Sequence, residues 1–107
     1  MNEGMKTKAK ISIPTEQIAQ FCHKHHIRKL ALFGSVLRDD FGPKSDVDVL
    51  VEFEPDHIPG LLRFAGMEIE LSELLEGRKV DLNTSKFLSP YFCDQVLAEA
   101  EVQYAQA

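Results

Sequence analysis

GSVLRDDFGPKSDVDVLVEF, residues 34–53, carries two signals of different kinds. Its second half holds VDVLVEF, in which β-branched residues alternate so that Val47, Val49 and Val51 share one face of a strand. Asp46 and Asp48 fall two residues apart, which puts both carboxylates on the opposite, open face, about 7 Å apart along the chain. The first half, Gly34-Ser35, stands where a strand gives way to a helix. The apolar run before it, IRKLALF (27–33), reads as that strand. Residues 35–40 read as a short helix, closed by the turn signal Phe41-Gly42-Pro43.

On the N-terminal side, Pro14-Thr15 opens a helix with Thr15 as its cap, and Ile18, Phe21, Cys22 and His25 recur at helical spacing. On the C-terminal side, Pro55 and Pro59-Gly60 bound a loop. Residues 61–75 then form an amphipathic helix, with Leu61, Phe64, Ala65, Ile69, Leu71 and Leu75 as its expected core and Gly77 as its stop. KVDLN (79–83) reads as a third strand. Ser89-Pro90 begins a last helix to about residue 100 with Phe92, Cys93, Val96 and Leu97 as its stripe, and the final residues add a short edge segment or fray. The order α-β-α-β-α-β-α predicts an α/β fold: one small mixed sheet with helices mainly on one face. Residues 1–12 are expected to be a flexible segment and residues 13–107 one domain.

The bulk composition agrees with that class. At 107 residues, 44% apolar and 27% charged, the chain has material for one core and no more. No apolar run is long enough to cross a bilayer, and the polar start MNEGMKTKAK does not read as a secretory signal, so the expected location is the cytoplasm. A net charge of −5 argues against a broad nucleic-acid footprint, though bound cations reverse a local field. Cys22 and Cys93, without metal or redox spacing, read as buried free thiols. His23, His25 and His26 do not bring three rings together on one helix and read as surface or boundary residues. Glu68, Glu70, Glu73 and Glu76 read as a solvated helix face.

The chemistry comes from three carboxylates and a glycine. In the third strand, Asp81 lies between Val80 and Leu82; with those two against the helices, Asp81 joins Asp46 and Asp48 on the open face. Gathered carboxylates repel one another, and Mg²⁺ relieves that repulsion while sharing its shell with substrate phosphates. Two such ions about 4 Å apart hold both the attacking and the leaving oxygen of an in-line displacement. Asp81 would serve as a further ligand or as the base that takes a hydroxyl proton. Gly34 lets the backbone approach a ligand, the N–H groups that follow favour an anion, and Ser35 adds a hydroxyl. Arg38, one turn on, reaches a phosphate or a partner's carboxylate. Ser45 reads first as a local turn residue.

Taken together, Gly34-Ser35, the ten-residue spacer, Asp46-Val47-Asp48 and the later Asp81 resemble the nucleotidyltransferase superfamily that includes DNA polymerase beta. In its short form the chain resembles the minimal nucleotidyltransferases, the MntA-type antitoxins paired with HEPN-domain toxins, over residues 14–104. The resemblance implies a polymerase beta-like core in which Gly34, Ser35, Arg38 and Ser45 bind nucleotide and Asp46, Asp48 and Asp81 bind two Mg²⁺. It further implies that AMP passes from ATP to a tyrosine of a HEPN ribonuclease toxin, which is thereby silenced as in type VII-like antitoxin systems. Asp39 departs from the family's usual glycine, and no helical domain follows the core, so the acceptor must come from elsewhere. Two other readings remain: neutralisation by binding alone, and transfer to a small-molecule acceptor.

Overall fold

The computed structural model describes residues 11, 13–37, 42, 45–84, 94, 96 and 98–106. Its sheet has four strands, β1 (Ile27–Phe33), β2 (Val47–Phe53), β3 (Val80–Thr84) and β4 (Glu101–Ala105), in the spatial order β3-β2-β1-β4. β1 runs antiparallel to both β2 and β4, whereas β2 and β3 are parallel and joined by the helix α2 (Leu61–Leu74). The sheet is therefore mixed, as expected, and the C-terminal residues do supply an edge strand. Helix α1 (Thr15–Lys24) precedes β1. Helical residues at Asp94, Val96, Ala98 and Glu99 precede β4. Of the N-terminal segment only Ile11 is described, and it packs on the core. Cys93, Phe92 and Leu97 lie outside the described residues.

Alternation in β2 sorts its side chains as the pattern requires. Val47, Val49 and Val51 are fully buried with Val80 and Leu82 of β3, Leu30 and Leu32 of β1, and Ile18, Phe21 and Cys22 of α1. Each buried Val or Leu side chain contributes about 1.5–3 kcal/mol relative to exposure. Cys22 is a free thiol in this core, and burial pushes its pKa up to about 12, so it is an inert apolar filler. The opposite sheet face is less open than expected: Val96 covers Phe33 and Leu50 there in a second, smaller cluster.

Three local expectations are corrected. Thr15 does not cap α1. It lies inside the first turn, Pro14 occupies the cap position, and the Pro14 carbonyl accepts the Ile18 N–H at 2.9 Å. The expected core of α2 was also partly wrong. Leu61 and Ile69 are 81% and 64% exposed and Ala65 is exposed, while Met67, Leu71 and Leu75 are buried and Phe64 half-buried. α2 carries two apolar stripes at i, i+3 or i, i+4 spacing, and only 64–67–71–75 meets the sheet. The helical stretch after Phe33 is a 3₁₀ turn, Gly34–Leu37, whose expected continuation to residue 40 lies outside the described residues.

The acidic face of α2 is not merely solvated. Glu68 Oε2 accepts the Leu82 N–H at 2.8 Å, which gives the edge strand β3 a partner on its outer side. Glu70 accepts hydrogen bonds from Lys24 and from His25 Nε2, the latter at 2.9 Å, and so ties α2 to the end of α1. Burial raises the Glu70 pKa, but those two hydrogen bonds and the charges behind them outweigh it, and the carboxyl sits below its ordinary 4.5. A depressed folded-state pKa stabilises above the unfolded value and is lost as pH falls through the folded one. Glu70→Gln is therefore expected to lower stability at pH 7 by under about 1 kcal/mol, since water screens this one-third-exposed group. The difference should close as pH drops below 4.5 in parallel urea titrations; a gap that persists at low pH would refute the ion-pair account.

α2 ends as a Schellman motif: the Gly77 N–H donates to the Ser72 carbonyl at 2.9 Å and the Glu76 N–H to the Glu73 carbonyl at 3.3 Å. The stop expected at Gly77 is thus present, but Glu76, with φ +65°, takes the left-handed position normally given to glycine. That conformation costs a side-chain-bearing residue about 1–2 kcal/mol, against roughly 0.5–1 kcal/mol of added unfolded-state entropy for glycine. Glu76→Gly should raise stability by up to about 1 kcal/mol, seen as a few degrees in Tm. A lower Tm would contradict it.

Candidate functional site

β1 ends at Phe33, whose register partner on β2 is Asp48. The next residue, Gly34, turns the chain with φ +78°. A Cβ placed on Gly34 would lie 2.2 Å from Asp48 Oδ2. The carboxylate of Asp48 is therefore seated directly against the bare Cα of the turn, in contact only a glycine permits. The glycine turn and Asp48 are thus in direct contact.

The parallel register extends the site to β3. Asp48 pairs with Asp81, and Val47 with Val80. Directly paired residues on neighbouring strands point to the same face, with the strands about 4.8 Å apart. Asp81 is exposed and Asp48 half-buried, while Val80, Leu82, Val47 and Val49 point into the core. Asp46 is half-buried one residue ahead of the strand, beside the point where the Val47 N–H donates to the Lys79 carbonyl at 2.8 Å. Three aspartates, Asp46, Asp48 and Asp81, thus stand by backbone position at one end of two adjacent strands, beside a turn whose following residue, Ser35, is half-buried.

Ser45 closes a small loop, its hydroxyl accepting the Gly42 N–H and its own N–H donating to the Gly42 carbonyl, both at 3.1 Å. That is the turn role its sequence context suggests. Arg38 and Asp39 lie outside the described residues.

The donor type suits Mg²⁺: hard carboxylate oxygens on half-buried or exposed residues. Like charges brought together for no ligand would be a net cost. The carboxylates and the turn would then hold a triphosphate from two sides, metal on one and backbone N–H groups on the other.

A groove of about 610 Å³ lies elsewhere, lined by Arg28, Phe53, Ile58, Leu61, Phe64 and Thr84 among others. It opens at the far end of β2 and contains none of the aspartates. Near it the fold gathers a polar cluster, His26, Glu54 and His57. Glu54 and His57 are three residues apart, and the β1–β2 register, which pairs Ile27 with Phe53, brings His26 to them.

Comparison with known proteins agrees with the geometry. The family model described as a nucleotidyltransferase domain matches residues 15–102. The protein adenylyltransferase MntA of Thermococcus cleftensis is 38% identical over 88 residues, covering 82% of this chain and 86% of that protein. A solved structure provisionally described as a minimal nucleotidyltransferase superposes with a TM-score of 0.68 at 36% identity, covering 80% of this chain and 85% of the other. A chain in the solved complex of tri-AMPylated Shewanella oneidensis HEPN toxin with its MNT antitoxin shares the fold at 19% identity. Its TM-score is 0.63, covering 86% of this chain and 70% of that one.

Proposed function

Because this chain belongs to the nucleotidyltransferase domain family, as a minimal nucleotidyltransferase of the MntA type, we propose that it transfers AMP from ATP to a tyrosine hydroxyl of a cognate HEPN-domain ribonuclease toxin in the cytoplasm. The transfer silences the toxin, and the chain acts as its antitoxin. The observation that carries this reading is the seat of Asp48 against Gly34, with Asp81 in register beside it. A binding-only protein has no need of a carboxylate group gathered at a glycine turn.

Gly34 and Ser35 hold the triphosphate through backbone N–H groups and the serine hydroxyl, with Arg38 and Ser45 as further contacts. Asp46, Asp48 and Asp81 hold two Mg²⁺, which, when bound, neutralise the phosphates and align the in-line displacement. The acceptor oxygen attacks the α-phosphorus, the bond to the bridging oxygen of the β-phosphate breaks, and pyrophosphate leaves. The hydroxyl proton passes to Asp81 or to water beside it. Asp81 suits that task because it is the most exposed of the three.

The test is intact mass spectrometry of the HEPN partner after incubation with this chain, ATP and Mg²⁺. Addition of one or more AMP masses, mapped to tyrosine, is the expected outcome. Neutralisation with no change in mass would establish binding alone and remove the enzymatic reading for this partner.

A further inference from the structure

We propose that His26, Glu54 and His57 form a second cation site, for a zinc-class transition metal, at the end of the sheet opposite the aspartates. It is independent of the AMP-transfer reading. Glu54 follows Asp48 by six residues along β2, which puts the two sites about 20 Å apart.

The donors already face one another. His26 Nδ1 lies 3.9 Å and His57 Nδ1 3.7 Å from the same oxygen, Glu54 Oε1. One donor atom from each of the three residues lies within 4.8 Å of the others. A tetrahedral ion with bonds of about 2.0–2.1 Å needs donors about 3.3 Å apart. The two separations are within about half an ångström of that, but the rings stack face to face, so one imidazole must turn out of the stack before both in-plane lone pairs reach one ion. The side chains are 34% to 47% exposed, so a hydrated ion can reach them.

Three features favour a cation over chance proximity. Both imidazoles present Nδ1 to the same carboxylate oxygen. The backbone fixes the group: the Glu54 N–H donates to the His26 carbonyl, and the His57 N–H to the Glu54 carbonyl, each at 2.9 Å. The outer oxygen of the carboxylate is also held, since Gln106 Nε2 donates to Glu54 Oε2 at 2.7 Å and leaves Oε1 directed at the rings. Such outer partners orient metal ligands.

The donor types give the class. Two imidazoles and one carboxylate suit Zn²⁺ and its neighbours, while the all-carboxylate site suits Mg²⁺, so the two sites select different ions. An ion here would tie three segments together: the turn between α1 and β1, the loop after β2 that borders the apolar groove, and, through Gln106, the end of β4.

The experiment is calorimetric titration of Zn²⁺ alone into the untagged, metal-free full chain carrying Asp48→Asn and Asp81→Asn, so that the carboxylate site does not contribute. One equivalent is expected to bind and to raise Tm by several degrees. His57→Ala, on an exposed loop, should weaken binding at least tenfold, and Gln106→Ala several-fold. Co²⁺ should give visible absorption that His57→Ala abolishes. Zinc binding of unchanged affinity in His57→Ala, or no stoichiometric binding to the parent chain, would overturn the proposal.

Discussion

Asp48→Asn is expected to reduce AMP transfer by on the order of 10³-fold or more, the scale seen when a preorganised charge-stabilising group is lost from an active site. The substitution keeps the shape of the side chain and its seat against Gly34, but removes the charge that a divalent ion requires. Asparagine also leaves the buried valines of β2 untouched. The fold should survive: Tm within about 4 °C of the parent, equivalent to roughly 1 kcal/mol or less for a domain of this size. Transfer is measured as labelled AMP incorporated into the HEPN partner, and stability by calorimetry on the same sample. Full transfer by a folded Asp48→Asn chain would remove Asp48 from the machinery. Lost transfer together with a collapsed Tm would show a structural role instead.

Gly34→Ala should be worse in a different way. The new methyl meets two objections at once: a left-handed backbone at φ +78°, and a carboxylate oxygen 2.2 Å away. The backbone strain alone costs about 1–2 kcal/mol, or roughly 5–15 °C in Tm. The contact cannot stand, so either the Asp48 side chain rotates off its seat or the turn shifts away from the phosphates. Both lose geometry on which transfer depends, and activity should fall at least about 10²-fold. A double-mutant cycle separates the causes. Adding Asp48→Ala removes the collision but not the backbone strain, so the stability losses should be less than additive. Additive losses would show that the two residues do not touch.

The parts of this fold that were legible in the sequence are those governed by nearest-neighbour rules. The valine alternation of β2, the glycine at the end of β1 and the apolar flanks of Asp81 each place a side chain through the local period. What failed needed a distant partner. On α2 the stripe 61–65–69 is as regular as 64–67–71–75, and only contact with the sheet picks the second. Glu68 and Glu70 read as surface acids because Leu82 and His25, their partners, are 14 and 45 residues away. His57 drew no notice at all: Glu54 lies three residues before it, but His26 joins them only after two strands align.

The in-register match of Asp48 with Asp81 has a bearing on how preparations of this protein are judged. Side chains alternate strictly, so a slip of β3 by a single residue would bury a carboxylate among the valines and turn Val80 or Leu82 outward to water. A one-residue slip would thus cost the core packing and the Asp48–Asp81 pairing together. Turnover per milligram after refolding is therefore a direct census of correctly threaded molecules, and titrating active centres reports folding yield as well as catalysis.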